Sequence, residues 1–123
     1  MRINTNALRK SIKTKLDTSC EAVYLGTKAE RSYPYAEYEL QAMRTVDERT
    51  QYKLEVNVYS KTSAEAEEKA DMIEMNFDHQ SYMNDQLAFY SYRGDRRTFL
   101  DEDKSVHRVR MTFELYAYMR EEE

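Results

Sequence analysis

Between Gln51 and Phe77 the chain changes its hydrophobic period, and that change restricts its fold more than any other feature. Apolar side chains first alternate, at Tyr52, Leu54, Val56 and Val58, as the two faces of a strand require. They then fall at helical spacing, at Ala66, Ala70, Ile73 and Phe77. Between the two runs Thr62 and Glu65 stand three apart, as in a capping box, where a hydroxyl and a carboxylate satisfy backbone donors at a helix start. The pattern predicts a strand that feeds directly into a helix. Many enzymes place a phosphate loop or a nucleophile at such a junction. Here it reads Ser60-Lys61-Thr62-Ser63, with no glycine and no neighbouring histidine, so helix capping accounts for Thr62, Ser63 and Glu65.

The flanking segments extend the same reading. Asn4 or Thr5 is placed to cap a first helix that carries Leu8, Ile12 and Leu16 in one stripe. Arg9, Lys10, Lys13 and Lys15 occupy its other sides and read as a solvated face. Ala22 to Leu25 is expected as a short strand ending at Gly26, and residues 27–34 as a polar loop closed by Pro34. Tyr35 to Met43 alternates, with Ala36, Tyr38, Leu40 and Ala42 facing one way and Glu37, Glu39 and Gln41 the other. A turn is expected over 45–51. Gln86 to Arg93 reads as a further strand, with Gly94-Asp95 as a turn after it. The cleanest alternation comes last: Val109, Met111, Phe113, Leu115 and Ala117 against Arg108, Arg110, Thr112, Glu114 and Tyr116. Together these elements predict an α+β fold, a single antiparallel β-sheet with two helices packed on one face. With 2 glycines and 1 proline in 123 residues, no flexible linker is expected, so residues 1–123 form one domain with 117–123 as a frayed acidic end.

Chemistry is scarce. His79 and His107 are the only histidines, and neither has a second ligand at metal spacing; His79 reads as a cation at the end of the second helix. Cys20 has no partner for a disulfide or a CxxC pair, and reads as an inert thiol in a reducing cytosol. Asp101, Glu102 and Asp103 crowd together, but neighbours on an extended chain point to opposite sides, so a solvated hairpin loop is the reading. Arg93-Gly94-Asp95 spells an adhesion tripeptide and is read as a turn. No phosphate-cradling loop, nucleophile elbow or acid–base pair occurs. A net charge of −4, from 19 basic and 23 acidic residues, argues against specific nucleic-acid binding. No apolar run approaches the ~20 residues of a membrane span, and the start of the chain holds no secretory signal. The expectation is a soluble protein that is not an enzyme and has no cofactor, metal or membrane partner.

Three segments in order carry a resemblance: "SYPYAEYEL", "YKLEVNVYSKTSAEAEEKADMIEMNF" and "HRVRMTFELYAYMR". Their landmarks are Pro34-Tyr35, Leu54 to Tyr59, Glu68 to Asp71 and the basic alternating strand from Arg108 to Tyr118. The chain resembles the small tail-terminator, or tail-completion, proteins of long-tailed phages and prophages. The likeness covers most of the chain, through motifs that are structural rather than catalytic. It implies a ring, typically hexameric, that caps the completed tail tube, stops tube polymerisation and offers a docking surface to the head connector. It further implies self-association, a tail tube protein and a head connector or head-completion protein as partners, no enzymatic activity and no cofactor. The implied location is the head–tail junction of the virion, with the host cytoplasm as the place of assembly. A head-closure, connector or minor capsid subunit is the neighbouring alternative, and a small regulatory protein-binding module the alternative from another class. The 11 tyrosines suit surfaces that are wet in a free subunit and buried in an assembly. The contacts are expected in the loops at 26–33 and 93–104, with Arg93, Arg96, Arg97, Asp101 and Asp103 as the interface candidates. As exposed loop charges, Arg96 and Arg97 would tolerate reversal to glutamate with little change in melting temperature.

Overall fold

A computed structural model describes residues 3–26, 32–46, 49–100 and 105–120. The period change falls where strand β3 (Arg49–Ser60) gives way to helix α2 (Ser63–Phe77). The Thr62 hydroxyl accepts the Glu65 N–H at 3.2 Å, which is half of the expected capping box. The Glu65 carboxylate does not return to Thr62. It accepts the Ser60 hydroxyl at 2.7 Å, and Ser60 Oγ accepts the Thr62 N–H at 3.3 Å. Fully buried Ser60 thus ties the end of the strand to the start of the helix. Helix α1 (Thr5–Asp17) is capped by Asn4, whose Oδ1 accepts the Ala7 N–H at 3.1 Å. The Thr5 hydroxyl meets the Tyr52 phenol instead, at 2.9 Å.

The other strands are β1 (Ala22–Tyr24), β2 (Tyr35–Val46), β4 (Gln80–Met83), β5 (Leu87–Leu100) and β6 (His107–Met119). All six join one sheet in the order β1-β2-β3-β6-β5-β4. This corrects the expected single antiparallel sheet with two helices on one face: the pairing is not all antiparallel, and the helices fill the hollow of a curled sheet rather than lie on a flat layer. The structure is mostly β, with 54% of the described residues in strands, and its sheet is mixed and curled into a half-barrel. The exception to antiparallel pairing is β1, which runs parallel to β2 with Ala22 opposite Ala36 and Tyr24 opposite Tyr38. Parallel neighbours need a long return connection, and the segment between Tyr24 and Tyr35 supplies it. Hydrophobic alternation marks the faces of a strand but not its direction. Two bulges, at Ala42/Arg44 and at Arg93/Arg96, add local bend and twist, which favours curling over a flat layer.

Several boundaries also move. Strands β2 and β3 extend into the turn expected over 45–51, as far as Val46 and from Arg49. Gly94-Asp95 is not a turn but the bulge inside a continuous β5. A Cβ on Gly94 would stand 2.8 Å from Thr112 Oγ1, the atom that accepts the Asp95 N–H at 2.8 Å. The glycine is needed there for close approach and not for chain reversal. Residues 117–119, expected to fray, complete β6, with buried Ala117 opposite Thr50.

One core joins the layers. Inward residues of β3 and β6 meet in register, Leu54 opposite Phe113, Val56 opposite Met111 and Val58 opposite Val109, all fully buried. Leu8, Ile12 and Leu16 of α1 and Ala66, Ala70, Ile73 and Phe77 of α2 belong to the same cluster. The Phe77 ring lies 5.5 Å from that of Phe113 and stacks on Phe89 at 6.4 Å. Phe77→Ala should therefore lower stability by roughly 3–5 kcal/mol in urea unfolding. A loss below about 1 kcal/mol, the scale of surface changes, would show that α2 does not seat on this sheet.

Candidate functional site

The bulge in β5 decides where the predicted contact residues point. Residues 93–100, expected as part of a polar loop, are the second half of β5, and Asp101 and Asp103 lie outside the described residues. Arg93 stands opposite Phe113 and Arg96 opposite Met111, so both share the inner side of the sheet, where α2 passes. Arg97 stands opposite Arg110 and is exposed on the outer side.

Arg96 meets three carboxylates of α2. Its guanidinium lies 2.5 Å from Glu67, 2.8 Å from Asp71 and 3.2 Å from Glu74. Glu67, Asp71 and Glu74 follow helical spacing and form one stripe. Arg93 joins Glu74 at 3.1 Å, and the Thr98 hydroxyl donates to Glu67. The Arg96 side chain is only 17% exposed. Burial alone would lower its pKa, but hydrogen bonds to Asp71, Glu67 and Glu74 outweigh burial and hold the net value above the usual one. Arg96 is thus a permanent cation that straps α2 to β5, not the freely exposed loop charge expected from the sequence.

The outer side of the sheet carries two aromatic bands with charge between them. At one end Tyr35 stands opposite Tyr59, Tyr59 opposite Arg108, and Arg108 opposite Phe99. Tyr35 and Tyr59 stack at 5.0 Å, and the Arg108 guanidinium lies 4.5 Å over Phe99. At the other end Tyr92 stacks on Tyr116 at 6.1 Å and donates to Glu114, a hydrogen bond that raises its pKa well above the ordinary tyrosine value. Beside Tyr116 a hollow of about 530 Å³ is lined by Arg44, Val46, Arg49 and Gln51. Between the bands Arg110 pairs with Glu55 at 2.7 Å. Sequence reasoning placed Tyr116, Arg108 and Arg110 on this face but did not join them to Tyr35, Tyr59 and Phe99. The signal lay in the tyrosines at outward positions of β2, β3 and β6, and strand order alone made them neighbours.

The isolated reactive groups sit apart from these bands or within them as packing. His79 follows α2 with a φ of 53°, and its Nδ1 lies 3.0 Å from the Tyr90 hydroxyl. Its Nε2 is 3.7 Å from Asp78, beyond hydrogen-bond reach. His107 opens β6 opposite Leu100 and Ser60. Cys20 is buried, and burial pushes its thiol up to about 11, which leaves it protonated at neutral pH. Among the described residues no group of three His, Cys, Asp or Glu is placed to hold a metal ion, and no helix is long and apolar enough to cross a membrane.

No family model matches the chain, and no curated protein matches it. Solved structures do share its fold. One is a chain from the virion of a native gene transfer agent particle: 10% identity, a TM-score of 0.62, and coverage of 92% of this chain and 90% of that one. A second, which carries no descriptive name, is 17% identical with a TM-score of 0.65 and covers 98% of this chain and 99% of its own. The likeness is one of fold, and it runs nearly end to end in both.

The strap generates a contrast between two arginines that lie next to each other. Arg96→Met keeps the length and removes the charge, leaving three crowded carboxylates; stability should fall by about 1–3 kcal/mol, limited by the exposure of the carboxylates. Arg97→Met should change stability by less than about 0.5 kcal/mol. Equal losses in chemical denaturation would show that the Arg96 contacts are not coupled to folding.

Proposed function

We propose that this chain is a structural protein of phage-like virions, and that it caps the tail tube as a ring, stops tube polymerisation and presents the docking surface for the head connector. The observation that carries the virion reading is the near full-length fold likeness to a chain of a gene transfer agent virion, a phage-like particle. It agrees with the sequence resemblance to tail terminators, which supports the capping role, the tube and connector as partners, and the head–tail junction as the location. The outer face suits this work. Its tyrosine bands offer rigid, amphipathic contact area that tolerates water before assembly and burial after it. A surface this rich in charge leaves little apolar area for a permanent interface, so the free subunit is monomeric or weakly associated and its ring forms on the tail tip. The role is non-catalytic, and neither metal nor cofactor takes part.

Deleting the gene from a phage or prophage that carries it, and restoring it from a plasmid, tests the reading by electron microscopy. Without the protein, tubes should run past the normal tail length and fail to join heads; with it, uniform joined tails should return. Tails of normal length that lack heads would reassign the protein to head closure. Intact particles without the protein would refute a virion role.

A further inference from the structure

The basic side of α1 lies along one edge of the half-barrel. Arg9, Lys10 and Lys13 line a groove of roughly 370 Å³ between α1 and β1, with Glu21, Val23, Tyr24 and Tyr38 also on its wall. β1 ends the sheet, with β2 on one side of it and no strand on the other among the described residues. The Arg9 guanidinium lies 3.6 Å over the Tyr24 ring, and its Nε is enclosed without a hydrogen-bond partner. Lys13 shares Asp17 within the same helix, at 2.8 Å, through an exposed pair that competes weakly with any outside carboxylate. The groove therefore sets three cations against one carboxylate, Glu21, beside the half-exposed Val23 and Tyr24.

Helix α2 offers the opposite. Its inner stripe enters the core and Glu67 and Glu74 turn toward β5, which leaves Glu68, Asp71 and Met75 at helical spacing on the outward side. Met75 is 76% exposed, the most exposed of the large apolar side chains described. Asp71 is 67% exposed even while it touches Arg96. This stripe spans ~10 Å of helix, similar to the reach of Arg9 to Lys13 with their long side chains. The acidic stripe on α2 and the basic groove beside β1 are different patches of one subunit.

We propose that these two surfaces join neighbouring copies of this chain: the outward stripe of α2 on one copy seats in the α1–β1 groove of the next. Met75 packs against the half-exposed Val23 and Tyr24 at the groove rim, and Glu68 and Asp71 meet Arg9, Lys10 and Lys13. Unlike charges fix the register, and the methionine supplies adaptable apolar contact with Val23 and Tyr24. Because the two patches differ, the contact is head to tail, and it closes into a ring when the rotation per subunit divides the circle. The assignment rests on the ring reading above and adds which surfaces form the joint.

Cysteine cross-linking on assembled tails tests it. A chain carrying Lys10→Cys and Glu68→Cys, both at exposed sites, is supplied to the deletion phage, and its tails are mildly oxidised. The expected result is a ladder of disulfide-linked oligomers up to the full ring, while each single variant gives no ladder. In parallel, Lys10→Glu with Lys13→Glu should lower the yield of terminated tails at least about tenfold, and adding Glu68→Lys, which leaves the Arg96 strap intact, should restore part of it. Unchanged thermal melts confirm that the reversed chains fold. Rings on wild-type tails with neither ladder nor charge effect would overturn this joint and leave the ring reading standing. Cross-links to a different virion protein would overturn the second copy as occupant. Absence of any ring on wild-type tails would remove both.

Discussion

The half-barrel depends on one packing constraint: its inner face must be filled by two helices at once. Strands β3 and β6 present unbroken rows of fully buried side chains, and among the described residues no second sheet covers them. Leu8, Ile12 and Leu16 from α1, and Ala66, Ala70, Ile73 and Phe77 from α2, supply the missing layer. A one-residue slip of β6 against β3 would turn Arg110 and Glu114 into this core, so the register is strongly set by burial alone. The curl of the sheet and the seating of the helices are then one problem with one solution.

Polar contacts arrange themselves around that core. On the inner side, past the apolar rows, Arg96 meets a row of α2 carboxylates and holds the helix over β5. Ser60 does a similar task at the other end of α2, where it links the strand to the cap. Ser11 and Asn84 connect α1 to the β4–β5 turn at 3.0 Å, and Asn76 of α2 reaches Ser19 at 2.8 Å. Apart from the local Ser60 contacts, each bond joins elements distant in sequence, and together they orient helices that hydrophobic burial would hold less specifically.

Two surfaces stand apart from this interior. The outer face of the sheet and the outward side of α2 carry no described strand, helix or sheet of the same chain over them. Their composition, tyrosine bands with paired charges on one and an acidic stripe with a bare methionine on the other, suits contacts made and completed by assembly. The fold itself is shared nearly end to end with a chain of a gene transfer agent virion.

Much of the interior was legible in the sequence. The alternation at Tyr52 to Val58 and Val109 to Ala117, and the stripes at Leu8 to Leu16 and Ala66 to Phe77, named the buried residues correctly. Periodicity reports which way a side chain faces, and burial enforces it locally. The direction of β1, the existence of short polar β4 and the continuation of β5 through Gly94 were not legible. A strand has the same alternation in either direction, and a bulge shifts the phase without any apolar signal. The interface candidates show the same limit. Arg96 and Arg97 are adjacent and alike in sequence, yet one is strapped under a helix and the other faces solvent. The sequence by itself determined which residues had to leave water. Only the tertiary structure decided which charges would meet, because Arg96 and Glu67 lie 29 residues apart and become neighbours through the path of β5 beneath α2.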